Sequence, residues 1–147
     1  MLNPFTNSLF CTIMREMIVC DVTIVTFSGG TRSHSSVRGT VLKLEDGFRV
    51  DYPQDGDHAR LTVRGQSLEM TRSGQTQLRM SFEEGCGSEF ALFLGEDWGS
   101  VPIETDRCHI CAVRDGWRIA LKYRLLFAHE SQVFHVNIAV KFISEEQ

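Results

Sequence analysis

Nowhere in this 147-residue chain do apolar residues run to the roughly 18 that a membrane-crossing helix needs, so no helical span is expected. Basic blocks are missing too. The 15 Lys and Arg stand singly, against 19 Asp and Glu, for a net charge of −4. That pattern speaks against a nucleic-acid surface. The five cysteines, at 11, 20, 86, 108 and 111, are odd in number and lack a disulfide-framework spacing. Free thiols in a reducing cytoplasm are therefore expected. No basic segment precedes the short apolar patch within residues 1–16, so a secretion signal is not expected. There is also no G-x-S-x-G elbow to present a nucleophilic serine, and no glycine-rich loop to cradle a phosphate.

What the chain does have is concentrated between Asp115 and Ile143. Trp117, Ile119, Leu121, Tyr123, Leu125 and Phe127 alternate there with Arg118, Ala120, Lys122, Arg124, Leu126 and Ala128. A period of two marks a strand with one buried face and one wet face. Phe134, Val136, Ile138, Val140 and Phe142 keep the same period beyond a short polar break, which predicts an antiparallel hairpin. A helix is excluded, because Trp117, Tyr123 and Phe127 would point in different directions at 3.6 residues per turn. Each strand would span roughly 30 Å, a length that suits a sheet coiling to close on itself.

Ahead of this hairpin, strands are predicted at 18–27, 37–44, 48–52, 58–64, 67–71, 76–82, 88–94, 101–105 and 108–113. Residues 31–36 are polar and turn-like, and Asp46-Gly47 is a strong hairpin signal. No helical segment interrupts the series. The expected fold is all-β: a single up-and-down antiparallel β-barrel of about 8–10 strands, whose closure removes exposed edges. The barrel domain is placed at 17–147 and an N-terminal extension at 1–16. In that extension Leu9, Phe10, Ile13, Met14 and Met17 share a helical face. A helix capping a barrel end, an extension without fixed structure, and a start of translation at Met14 or Met17 all stay open.

Several motifs carry a resemblance. Arg72-Ser73-Gly74, Met80-Ser81-Phe82-Glu83-Glu84-Gly85 and the run from Trp98 to Thr105 resemble the YwiB-like bacterial family of uncharacterised small barrels. The family pattern places R-x-G first, then Y-x-T-x-Y-G, then a Thr, then a long Gly-led strand containing Tyr. Thr105, Gly116 and Tyr123 fit its later elements. The chain departs from it at Leu94-Gly95-Glu96-Asp97-Trp98-Gly99, where two of the family's positions are missing. The resemblance spans roughly residues 18–143 and implies a lipocalin-like (calycin) barrel. It implies no established activity.

Three groups of residues invite a chemical reading. Cys108-His109-Ile110-Cys111 has the look of a metal or redox motif. On a strand, however, residues three apart face opposite sides, and no second ligand pair exists to complete a tetrahedral site. The carboxylate pairs Glu83-Glu84 and Glu96-Asp97 sit at strand ends, where acidic turn residues are ordinary. No catalytic residue, metal or cofactor is expected. The third group is a barrel interior with room for a small molecule. Its predicted ligand-binding residues are Trp117 and Tyr123 inside and Trp98 near the entrance. The chain is thus expected to be a non-catalytic binding module for a small apolar or amphipathic ligand. The alternative is a filled barrel working through its outer surface, in the form of a homodimer; an enzyme is the third reading.

Overall fold

The computed structural model describes residues 17–143. The predicted helical face at residues 9–17, and the choice between its three readings, lie almost wholly outside the described residues. Ten strands follow one another: β1 (Met17–Ser28), β2 (Thr31–Leu44), β3 (Gly47–Gln54), β4 (Asp57–Arg64), β5 (Ser67–Ser73), β6 (Leu78–Glu83), β7 (Gly87–Phe93), β8 (Trp98–Val113), β9 (Gly116–Leu126) and β10 (Ser131–Phe142). Each pairs antiparallel with its neighbour in sequence, and β1 closes on β10 with Val22 opposite Val140 and Ile24 opposite Ile138. The fold is the closed up-and-down barrel that the strand spacing predicts.

The terminal hairpin forms as expected, in a register that sets Phe134 opposite Tyr123 and Ile138 opposite Ile119. Its inward row is buried: Ile119, Leu121, Tyr123, Val136, Ile138 and Val140 belong to the core. Cross-strand apolar pairs of this kind are what stabilise a sheet.

Two predictions are corrected. Residues 31–36, read as a loop, extend β2, and the turn into it is only Gly29-Gly30. All six of these side chains are exposed. This stretch rises at the barrel rim, where backbone pairing to β1 holds it without any buried face, so no hydrophobic alternation reveals it. The separate strands at 101–105 and 108–113 are one strand, β8, with a register shift between Thr105 and Arg107. The extra residue, Asp106, resets the alternation. Ile103 and Thr105 face inward before it, and Cys108 and Ile110 after it.

That reset also decides the Cys108–Cys111 string: Cys108 is buried and Cys111 is exposed. Burial pushes the Cys108 and Cys20 thiols up to about 11, so both stay protonated and inert at neutral pH.

Candidate functional site

The two ends of the barrel are built differently. At the end where β3 and β9 begin and β10 finishes, the rings of Phe48 and Trp117 stack with centroids 3.8 Å apart. Phe142 meets Trp117 edge-on at 5.2 Å. This aromatic plug closes one end. Above it the barrel is filled by Leu61, Leu68, Phe82, Ile103, Ile119 and Ile138, all fully buried.

At the opposite end the filling stops short of the rim and leaves a cavity of about 320 Å³. Ile24, Met70, Leu78, Met80 and Val136 form its apolar wall. Thr26, Ser33, Ser35 and Gln54 belong to its polar lip. Tyr52, Arg72 and Tyr123 also line it, and none of its lining residues is acidic among the described residues.

Strand alternation explains why these three point inward. Arg72 keeps the parity of Leu68 and Met70 on β5, Tyr52 that of Phe48 and Val50 on β3, and Tyr123 that of Ile119 and Leu121 on β9. The register sets Tyr52 opposite Ala59 and Ala59 opposite Arg72. A single methyl group between them lets the phenol and the guanidinium approach each other across three strands. Tyr123 packs between Phe134, stacked at 5.0 Å, and Phe82, tilted at 4.7 Å. Burial pushes both phenols up to about 12, and neither has a hydrogen-bond partner among the described residues. They are neutral donors at any physiological pH.

Arg72 is held by a buried carboxylate. Its Nε donates to Asp57 Oδ2 at 2.9 Å, while the backbone amides of Gln75 and Thr76 donate to the same group at 2.8 and 3.1 Å. The Asp57 side chain is only 4% exposed. The Gln75 amide does most to hold this carboxyl below the usual carboxylate range; burial opposes it, and the Thr76 amide and Arg72 add to the lowering. Gly74 completes the knot. Its φ is +134°, and a Cβ there would overlap Asp57 Oδ1. The Arg-x-Gly motif is thus a clamp in which glycine admits the carboxylate and the carboxylate fixes the arginine.

A folded-state carboxyl held low contributes stability above its unfolded value, and that contribution is lost as pH falls through the folded one. Thermal melts should therefore show Asp57→Asn less stable than wild type at pH 7, with the gap narrowing below about pH 4. A gap that stays constant across the acid range would mean that the clamp does not depend on the charge.

Behind Tyr123, its register partner Thr105 is 3% exposed, and its Oγ1 is buried without a partner among the described residues. An unsatisfied buried hydroxyl costs stability, and valine has the same shape without it. Thr105→Val should raise stability by about 1 kcal/mol. A loss in denaturant titrations would show that the hydroxyl has a partner in solution.

The three sequence-predicted site residues do not converge. Tyr123 lines the cavity. Trp117 lies in the plug at the far end, six residues down β9. Trp98 has the outward parity of Ser100 and Pro102, is 55% exposed, and leans on Phe93 at the tip of the β7–β8 hairpin. Sequence reading missed Tyr52, Arg72 and Asp57. The available signal was the alternation Leu68, Met70, Arg72, which the predicted strand end at Thr71 cut off.

Elsewhere on the surface, Asp51 accepts from Arg49, His58 and Arg60 at 3.2, 2.8 and 2.7 Å, a self-contained ion cluster. A depression of about 360 Å³ lies on the outer wall between Glu69, Ser81 and Ser88. Its lining mixes Arg64, Glu69 and Glu83 with Leu68 and Phe82 and lacks the inward-facing polar groups of the barrel mouth. No group of three or more His, Cys, Asp or Glu able to hold a metal ion occurs among the described residues. No helix among them is long and apolar enough to cross a membrane.

A closed barrel, plugged at one end and hollow at the other, defines the structural class. The chain belongs to the family described as a domain of unknown function (DUF1934), whose model matches residues 25–138. Among solved structures it is similar to the ywiB protein from Bacillus subtilis, at 14% identity and a TM-score of 0.68, covering 88% of this chain and 93% of that one. That likeness establishes the fold. A search of curated proteins finds no match.

Proposed function

We propose that this protein is a non-catalytic binding module that holds a small amphipathic molecule in the open end of the barrel. The observation that carries the reading is the cavity itself: inward-facing apolar walls combined with the phenols of Tyr52 and Tyr123, which line it and have no hydrogen-bond partner among the described residues. A ligand acceptor would take the place of water at these donors while its apolar part covers the wall. The volume, about 320 Å³, lies at the small end of ligand sites. The reading carries with it a reducing cytoplasmic setting; Cys20, Cys86, Cys108 and Cys111 are free thiols.

Tyr123→Phe tests the assignment, since it removes one hydroxyl and keeps the ring stacked on Phe134. The variant should melt within a degree or two of wild type, about the effect of losing a hydroxyl that has no protein partner. Its retention of a co-purifying small molecule should drop about tenfold. Unchanged retention with an unchanged melt would count against the cavity as the functional site.

The alternative, an interaction protein that self-associates through its outer wall, has one observation in its favour. Arg118 and Lys122 have no salt-bridge partner among the described residues, whereas Arg124 of the same row is occupied by Glu104 and Asp106. Dimerisation that fails in Arg118→Glu would select this reading.

A further inference from the structure

The polar groups at the cavity say more than that something is held. Resting on the binding reading above, we propose that the occupant is an amphipathic anion, its carboxylate-like head between Arg72 and the Tyr52 hydroxyl and its apolar body against Met70, Met80 and Val136.

Hydrogen-bond accounting leads to this charge. A guanidinium has five N–H donors, and Arg72 gives its Nε–H to Asp57. Its nearest other carboxylate, Asp55, stands 3.9 Å from Nη2 and is 85% exposed on the solvent side. The terminal amino groups therefore keep donors in reserve. Asp57 in turn has two backbone amides in addition to Arg72, so its charge is held chiefly by groups that cannot leave. An incoming anion would not have to dismantle the clamp to reach the arginine.

The neighbourhood is one-sided. No acidic residue lines the cavity among the described residues, and Tyr52 and Tyr123 can only donate to an anion, as their hydroxyls stay protonated. A cationic head would find no carboxylate on the cavity wall, since Asp57 is already engaged by Arg72 and two backbone amides. A neutral head could accept from Arg72 and Tyr52 but would bring no charge of its own to strengthen those bonds. Low-dielectric walls strengthen the preference, because the attraction between Arg72 and an anion is poorly screened there. Arginine's fork suits a planar carboxylate, which it can meet with two parallel bonds.

The test compares three probes with the same eight-carbon chain and different heads: octanoate, octan-1-ol and octylammonium. Isothermal titration of the full-length protein should give octanoate at least about tenfold tighter than octan-1-ol, the worth of one charge-assisted hydrogen bond. Octylammonium should be the weakest. Tyr52→Phe should erase part of the octanoate advantage, and Arg72→Gln all of it. If Arg72→Gln unfolds because Asp57 loses its partner, Arg72→Lys keeps a cation there; it should retain the sign of the preference and reduce its size. Equal affinities for octanoate and octan-1-ol, or a preference for octylammonium, would overturn the anionic head while leaving the cavity as a binding site. No binding of any probe, joined to wild-type protein that purifies without a bound molecule, would overturn both.

Discussion

Replacing Phe48 with alanine should cost about 3–5 kcal/mol of stability, the range for emptying a buried aromatic site. Phe48 is 1% exposed and stacks on Trp117, so its removal takes away both the transfer term and the ring contact that closes one end of the barrel. Trp117 cannot fill the space, because Phe142 braces it edge-on at 5.2 Å. Phe48→Leu should lose far less, since most of the volume is kept. Urea titration reads both values. The plug and the cavity lie at opposite ends, so whatever Phe48→Ala does to the midpoint, ligand affinity measured on the folded fraction should stay within about twofold, as expected for distant sites. A loss of only about 1 kcal/mol would show that the plug is not the main closure of that end.

Gly116→Ala is expected to be nearly as damaging, at about 3 kcal/mol. The cause is a backbone contact. A Cβ on Gly116 would overlap the carbonyl oxygen of Val140 on β10, so the methyl group could enter only by prising β9 from β10. Gly47 is in the same situation at the start of β3, against the carbonyl of Val63 on β4. The alanine variants should lose stability to a similar degree, against the several tenths of a kcal/mol that glycine-to-alanine usually gains by stiffening the unfolded chain. Melting temperatures within about 2 °C of wild type for either variant would show that the strands can part there at little cost.

These two glycines also show what could be read from the chain and what could not. Asp46-Gly47 and Asp115-Gly116 mark hairpins in the sequence, and hairpins form at both places. In each, though, the turn is made by the two residues before the glycine, Glu45-Asp46 and Arg114-Asp115, and the glycine opens the next strand. The signal pointed to the right place for a different reason: close approach of a neighbouring carbonyl, which depends on partners far away in sequence. The same divide runs through the rest of the fold. The hairpin from Gly116 to Phe142 was legible because every second residue is buried, a local property. The rim stretch Thr31–Ser36 was not, because strand pairing without a buried face leaves no pattern. The bulge at Asp106 was invisible for a related reason, since one extra residue turns a single strand into two short runs of opposite parity.

The site divides along the same line. Tyr123 could be named because it sits in an unbroken alternation. Trp117 shares that alternation and faces inward too, but at the closed end, while Trp98, named for its glycine-flanked loop, faces outward. Arg72 and Tyr52 come together only through the register of β3, β4 and β5 over Ala59, which no single segment encodes. Asp57 is similar. Its partners at Arg72, Gln75 and Thr76 lie 15 to 19 residues ahead in the chain, and an aspartate beside a turn otherwise looks like solvent-facing punctuation.

The central claim is that the open end of the barrel is occupied in use. Native mass spectrometry of protein purified without denaturant or organic solvent tests it most directly. The account predicts an excess mass on the folded protein that vanishes on denaturation and is diminished in Tyr123→Phe. A bare polypeptide mass, with no uptake of added octanoate, would contradict it.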